Sequence, residues 1–351
     1  MSNHENSLLT LVESAFETSD TKSFFFRHPM GTPDFKPGQF INIGVTIDGK
    51  THYRAYSVSS LPSDKLIQLT IKRVPGGTVS NWMIDQLNAG DQISLHGLAG
   101  TFNIIDSPYR KNIILISAGC GITPVMSMAR YLLSLNDERI QSIQFIHCAR
   151  DEDNIIYFKE LCKLNEEYDK FSPVFYCSHP QKEHRSLIHK GRLNADSLMA
   201  HLKDCFNDSS IYLCGPDEFM DMVKTEIDAS GFDMGHFHME SFASSCETPE
   251  PNNASIHEGK NHTLSLPDFG IEKEVPDGTI LLDILQENSI PIVAACRSGI
   301  CGSCKCKVET GKIQLTVDAV ANGTLTREEI DEGYTLACSS RIINNISVIL
   351  K

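Results

Sequence analysis

LISAGCGITPVMSM, Leu115 to Met128, changes its period in the middle. Its first part, extended upstream to Asn112, is a short unbroken apolar run, NIILIS, the pattern of a strand covered on both faces. Its second part places Ile122, Val125, Met126 and Ala129 at helical spacing. Between them Gly119 and Gly121 permit a tight turn. Strand, glycine turn and helix together predict the opening of an α/β unit.

Reading downstream, the pattern repeats. QFIHCAR (144–150), VFYC (174–177) and IYLCGP (211–216) are further short strands, separated by helical stretches such as IYFKELCKLNEEY (156–168) and DEFMDMVKTEID (217–228). Strands alternating with helices predict a parallel sheet with helices on both faces, over residues 107–243. Upstream the pattern differs. QFINIGVTI, YRAYSVSS and KLIQLTIKRV are alternating or β-branched runs between Gly, Pro and Asp breaks, so residues 1–106 are expected to form an antiparallel β-barrel. SSCETPEPNNASIHEGKNH (244–262) is polar and reads as a linker. Residues 263–351 form a compact α+β unit, with an amphipathic helix at TILLDILQENSI, a cysteine loop, and strands in KCKVETGKIQL and ISVIL.

The chain has 351 residues, 41% of them hydrophobic, enough for two or three cores. The net charge of −14, with no basic segment, argues against nucleic acid and anionic membranes as partners. No basic-then-apolar leader opens the sequence, and no run approaches the roughly 18 apolar residues of a membrane span. Twelve cysteines without a secretory signal point to reduced thiols, some of them ligands, in a soluble cytoplasmic protein.

Four of those cysteines carry the chemistry. CRSGICGSC places Cys296, Cys301 and Cys304 at C-x4-C-x2-C spacing, and Cys338 follows in LACSS. This is the plant-type pattern for a 2Fe–2S cluster. Two bridged irons need four thiolates converging on one small volume. A loop bent at Gly299 and Gly302 can supply three, with its amides turned toward the sulfurs. A zinc site favours two short CxxC pairs, which Cys338 does not complete, and a disulfide set does not suit the compartment. Cys306 is read as a small strand residue, and Cys148, Cys162 and Cys205 as ordinary buried residues.

The run VAACRSGICGSCKCKV with EGYTLACSS resembles plant-type ferredoxin domains of β-grasp fold, fused to flavoprotein reductases. RAYS (Arg54–Ser57) and GGTVSNW (Gly76–Trp82) resemble the RxYS and GGxxS motifs of the ferredoxin–NADP reductase superfamily. There, the resemblance implies, Arg54 pairs with a flavin phosphate, Tyr56 lies against the ring, and Ser57 reaches toward N5. Ala55, Ile71, Lys72, Gly76, Gly77, Val79 and Ser80 complete the flavin set, with Ser80 at a helix start. Trp82 is read as helix packing, and the flavin as FAD rather than FMN.

The Leu115–Met128 run resembles the superfamily's GxGxTP type of nicotinamide-dinucleotide loop. It implies that Gly119, Gly121 and Thr123 contact pyrophosphate at a helix N-terminus, with Pro124 at the first helical position. YLCGP resembles the motif that places Cys214, Gly215 and Pro216 beside the nicotinamide. HFHMESF resembles the segment closing the module, where Glu240 and Phe242 face the flavin. Ser178–His179, where NADPH enzymes often have Ser–Arg, favours NADH, with Arg185 as the residue that would admit NADPH.

The implied activity is that of an NAD(P)H-dependent iron–sulfur flavoprotein reductase: NADH to FAD to 2Fe–2S to a partner protein. Ser57, Cys214 and Glu240 are the candidate catalytic residues. VAACRSGICGSC, TLTREEIDEGYTLACS and ISAGCGITPVMSM most resemble the reductases that serve hybrid-cluster proteins, so such a protein is the expected partner. The alternatives are the reductase component of a multicomponent oxygenase and, in another class, a redox sensor without turnover.

Overall fold

The structure is a computed structural model. It describes residues 7–350, apart from 136, 182–186, 204, 243–259, 289, 291, 295, 298 and 321–323. The read linker falls almost wholly outside these residues, as does Arg185.

The N-terminal strands are β1 (Ser7–Thr18), β2 (Thr21–Arg27), β3 (Phe40–Ile47), β4 (Lys50–Ser57), β5 (Ile67–Lys72) and β6 (Gln92–Ala99), with helix α1 (Thr78–Gln86) after β5. They pair antiparallel in the order β4-β3-β6-β1-β2-β5. A single antiparallel bridge between Val58 and Leu69 brings the two edges together. Leu9, Leu11, Phe24, Phe26, Ile41, Ile43 and Leu69 fill the interior, and Trp82 packs against it from α1. Between β3 and β6 the register slips: Ile41 faces Leu98 but Ile43 faces Leu95. An extra residue therefore bulges from β6 opposite Asn42, where Gly97 holds φ at +122°.

The central domain runs β7 (Asn112–Ala118), α2 (Ile122–Ser134), β8 (Ser142–Ala149), α3 (Phe158–Glu167), β9 (Phe171–Cys177), β10 (Ile188–Lys190), α4 (Ala195–Leu202), β11 (Ser209–Gly215), α5 (Asp217–Ala229) and β12 (Phe237–Ser241). Its sheet is parallel, ordered β10-β9-β8-β7-β11-β12. The apolar run of β7 is explained by its two faces. Ile113 and Leu115 join one core with α2, while Ile114 and Ile116 join another with α4 and α5. Cys148, Cys162 and Cys205 are only partly buried, at the margins of these cores rather than inside them as expected.

The two domains meet through buried polar contacts. Arg130 of α2 reaches across to the Ser59 carbonyl (2.5 Å) and the Gln68 side chain (2.8 Å), while pairing in two bonds with Glu160. Tyr157 lies under its guanidinium, 5.1 Å to the ring centre, and donates to Thr70 Oγ1 of β5 at 2.5 Å. Ser127 donates to the Ser60 carbonyl at 2.9 Å.

The C-terminal domain contains β13 (Asn261–Leu266), β14 (Ile271–Pro276), α6 (Leu281–Glu287), β15 (Lys305–Thr310), β16 (Ile313–Leu315), α7 (Arg327–Asp331), β17 (Tyr334–Leu336), β18 (Ser340–Ile342) and β19 (Ile346–Ile349). Its main sheet is mixed, ordered β14-β13-β19-β15-β17, with β13 and β19 parallel. KCKVETGKIQL is two strands rather than one, because β16 pairs with β18 in a separate ribbon. α6 buries Leu281, Leu282, Ile284 and Leu285 in this core. A capping box of Thr326 and Glu329 starts α7. No helix among the described residues is long and apolar enough to cross a membrane.

Candidate active site

β4 delivers the first group of residues. Ser57, at its end, is 4% exposed, and its Oγ meets no partner among the described residues. A buried hydroxyl without a partner is costly in an apolar surround, by roughly 1–3 kcal/mol, so this one is suited to a bound polar group. Arg54 and Tyr56 flank Ala55 on the same strand, all partly exposed, with Arg54 Nη1 donating to the Tyr53 carbonyl at 2.7 Å. Gly76 holds φ at +71°, which favours glycine. Ser80 is the third residue of α1 rather than its start, and its Oγ accepts the Val74 N–H at 3.3 Å, pinning the turn. A Cβ on Gly77 would lie 2.6 Å from that Oγ. The side chains of Ile71 and Val79 lie in the barrel core, so only their backbone is available to a ligand. Lys72 pairs with Asp20 at 3.2 Å.

The glycine loop follows β7 as a short 3-10 turn, Gly119–Gly121. Gly119 takes φ +54°. A Cβ on Gly121 would stand 2.2 Å from the Cys214 carbonyl oxygen, so the loop lies directly on the end of β11. Thr123 Oγ1 donates back to the Cys120 carbonyl at 3.0 Å. Pro124 is the third residue of α2, not the first, because the helix begins at Ile122. Burial pushes the Cys120 thiol up to about 11.

Cys214 pairs with Ser117 on one side and Glu240 on the other. Burial holds its thiol well above the usual range, so it carries no charge. Glu240 is 7% exposed with Oε2 unpartnered; burial, and then the sulfur of Cys296, push its carboxyl up to about 8. Gly215 packs against Phe219 and Ala118, while Pro216 and Phe242 are exposed. The structure thus brings Ser117, Gly121, Cys214 and Glu240 to one end of the parallel sheet, and the cluster loop close to them. Ser178 and His179 hydrogen-bond each other at 3.0 Å and both contact the Arg150 carbonyl.

In the C-terminal domain the Cys301 amide points at Cys296 Sγ (3.3 Å) and the Cys338 amide at Cys304 Sγ (3.5 Å). The thiols also contact one another. Cys338 is pushed up by hydrogen bonds with Cys296 and Cys304, and Cys301 by one with Cys296; Cys304 is lowered by Cys338. No three described His, Cys, Asp or Glu side chains converge tightly enough for one metal ion. The contacts run 301 to 296 to 338 to 304, so the four thiols gather in one small volume, as a binuclear cluster with two thiolates per iron requires. Gly299 and Gly302 both hold positive φ in this loop, as does Arg297 at +56°. Cys306 is buried in β15, 1% exposed, and its thiol is pushed up to about 12 by burial.

Asn42 was not legible as a site residue. It donates from Nδ2 to Ser303 Oγ at 2.8 Å, joining barrel to cluster loop. Its signal is a lone amide within the apolar run FINIGVTI.

Three family models match in succession: an oxidoreductase FAD-binding domain over residues 8–104, an oxidoreductase NAD-binding domain over 115–225, and a 2Fe-2S iron-sulfur cluster binding domain over 267–342. The glycine betaine monooxygenase reductase subunit of Pseudomonas aeruginosa is 34% identical over 348 residues, covering 95% of this chain and 92% of its own. The NADH oxidoreductase HCR of Escherichia coli is 33% identical over 306 residues, covering 87% and 86%. Phthalate dioxygenase reductase shares the fold, with a TM-score of 0.65 at 22% identity, covering 98% of both chains. The three domains, in this order and with these cofactors, place the chain in the family of ferredoxin–NADP reductase-type flavoprotein reductases that carry a C-terminal 2Fe–2S domain.

Proposed function

We propose that this protein is the NADH-dependent reductase component of a multicomponent oxygenase. The observation that carries this reading is the near full-length relation to a monooxygenase reductase subunit, at 34% identity. The hybrid-cluster partner expected from the sequence gives way to its alternative, since HCR matches over a smaller share of both chains. NADH over NADPH is supported by Glu152, whose Oε2 accepts the Gln181 N–H at 2.9 Å beside Ser178 and His179. A carboxylate there suits a ribose hydroxyl and repels a 2′-phosphate.

When bound, FAD takes a hydride from the dinucleotide and the 2Fe–2S cluster takes its electrons singly. The chain's own residues divide the remaining work. Arg54 holds a flavin phosphate through its guanidinium fork. Ser57 Oγ offers a buried hydroxyl at the reacting edge. The amides of the Gly119–Gly121 turn and the N-terminus of α2 receive the pyrophosphate. Cys214, kept neutral by burial, would stand beside a bound nicotinamide without adding charge. Glu240, its carboxyl raised by burial, holds its proton at neutral pH and would present an uncharged, unpartnered carboxyl to a bound dinucleotide or flavin. Cys296, Cys301, Cys304 and Cys338 bind the irons.

The test is reconstitution with two purified acceptors. NADH oxidation coupled to substrate hydroxylation with a glycine betaine monooxygenase oxygenase subunit, and slow turnover with a hybrid-cluster protein, is the expected result. The reverse preference overturns the reading. Cys301→Ser is expected to abolish reduction of either protein acceptor while flavin reduction by NADH, followed at the flavin band, stays within about twofold of the parent.

A further inference from the structure

Asn42 belongs to the barrel, yet its burial comes from another domain. On β3 the side chains of Ile41, Ile43 and Val45 enter the barrel core, so alternation sends Asn42 to the other face. It is nevertheless 2% exposed. Its Nδ2 donates to Ser303 Oγ, 261 positions away in sequence, at 2.8 Å. Across the β3–β4 ladder Asn42 stands opposite Ala55, between Arg54 and Tyr56. It also stands opposite the β6 bulge, and a bulge beside a site is a means of aiming a side chain.

On the cluster side, Ser303 lies in the loop between the two candidate ligands Cys301 and Cys304. The hydrogen bond from Asn42 therefore lands inside the turn that carries these two cysteines. The opposite flank of the loop is near the central domain, where the Cys296 sulfur is felt by Glu240.

We infer that Asn42 is a positioning residue for electron transfer from flavin to cluster: from the strand pair that carries the flavin motif, it holds the Cys301–Cys304 turn in place. One electron passes at each event, and Asn42 and Ser303 neither gain nor lose a proton or a covalent bond. The inference rests on the NADH-to-flavin-to-cluster route described above.

The test uses the full-length holoprotein as Asn42→Ala, Ser303→Ala and the double variant. Mixed with NADH without oxygen, the flavin band reports hydride transfer and the iron–sulfur band reports the next step. Each single variant is expected to leave the flavin phase within about twofold and slow the cluster phase roughly tenfold, the loss of one buried hydrogen bond, with the double variant no slower than either. Two readouts do not depend on turnover. In an EPR-monitored redox titration the cluster potential stays at the parent value in both variants, while amide exchange across residues 299–306 speeds up. A cluster phase and an amide exchange unchanged in both single variants would overturn the role of Asn42. So would a flavin phase slowed in step with the cluster phase, which would put Asn42 in the flavin site. A parent protein whose cluster NADH does not reduce at all would instead sink the route itself.

Discussion

His147 lies in β8, fully buried, with Nδ1 2.9 Å from Ser117 Oγ. Burial, and after it the charge of Lys72, pushes the ring from its ordinary 6.5 down to about 3. The folded protein thus keeps His147 neutral where an unfolded chain would protonate it. Between about pH 6.5 and 3 the unfolded state binds the extra proton, and the fold loses about 1.4 kcal/mol per pH unit through this group. His147→Gln is expected to flatten that acid limb. Urea unfolding at pH 7 and pH 5 measures it: the parent weakens by about 2 kcal/mol more than the variant over this interval. Residues such as His147, Asn42 and Arg130 were silent in the sequence, since each acts through a partner far along the chain. The four cysteines were legible because three of them act within one short loop, where spacing is already geometry. Pro124 shows the limit of such reading: a Pro suited to the first helical position sits third, since the 3-10 turn before α2 merges into the helix two residues early.

At the level of elements, the turn between β7 and α2 has no room to spare. Gly121 has an ordinary φ of −60°, so backbone strain does not demand glycine there. The demand is steric, because a Cβ would enter the Cys214 carbonyl at 2.2 Å, a backbone atom that cannot step aside without moving β11. Gly121→Ala is expected to shift the loop from the end of β11. NADH KM should rise by about tenfold or more and stability should fall by about 2 kcal/mol, read by steady-state kinetics and thermal unfolding. The same argument explains why KCKVETGKIQL breaks into two strands. Gly311 holds φ at +90°, and a Cβ on it would lie 2.0 Å from the Asn345 carbonyl. The chain turns there to let another strand end pass, and nothing in the local alternation announces that neighbour. The buried strands β7, β8 and β11 were readable because coverage on both faces leaves an unbroken apolar run.

Across the whole molecule, the barrel and the parallel-sheet domain are held in register by few side chains. Arg130 is the centre: its head group answers Glu160, the Ser59 carbonyl and Gln68, and rests on Tyr157. Its side chain is 13% exposed and that of Glu160 38%, so the pair is only partly shielded from water. Arg130→Met is expected to cost about 2–3 kcal/mol in unfolding free energy, most of it from barrel acceptors left unanswered. Hydride transfer should slow more than NADH binding weakens, because the two half-sites lose their alignment; rapid-mixing kinetics separates the two effects. The order of domains was readable from changes of period along the chain, but the way they face one another was not. That arrangement rests on single contacts such as Ser127 to Ser60 and Asn42 to Ser303, each linking residues dozens to hundreds of positions apart.

β19 is the middle strand of the C-terminal sheet, parallel to β13 on one side and antiparallel to β15 on the other. It also comes after every one of the four clustered cysteines. A growing chain therefore presents all four thiols to the cell before the strand that closes their sheet has left the ribosome. Until Ile346–Ile349 emerges, β13 and β15 have nothing to join them, and iron delivered in that interval would meet thiols without a cage. A chain halted after residue 342 is accordingly expected to keep its four thiols yet hold no iron–sulfur cluster, its visible spectrum showing flavin bands alone.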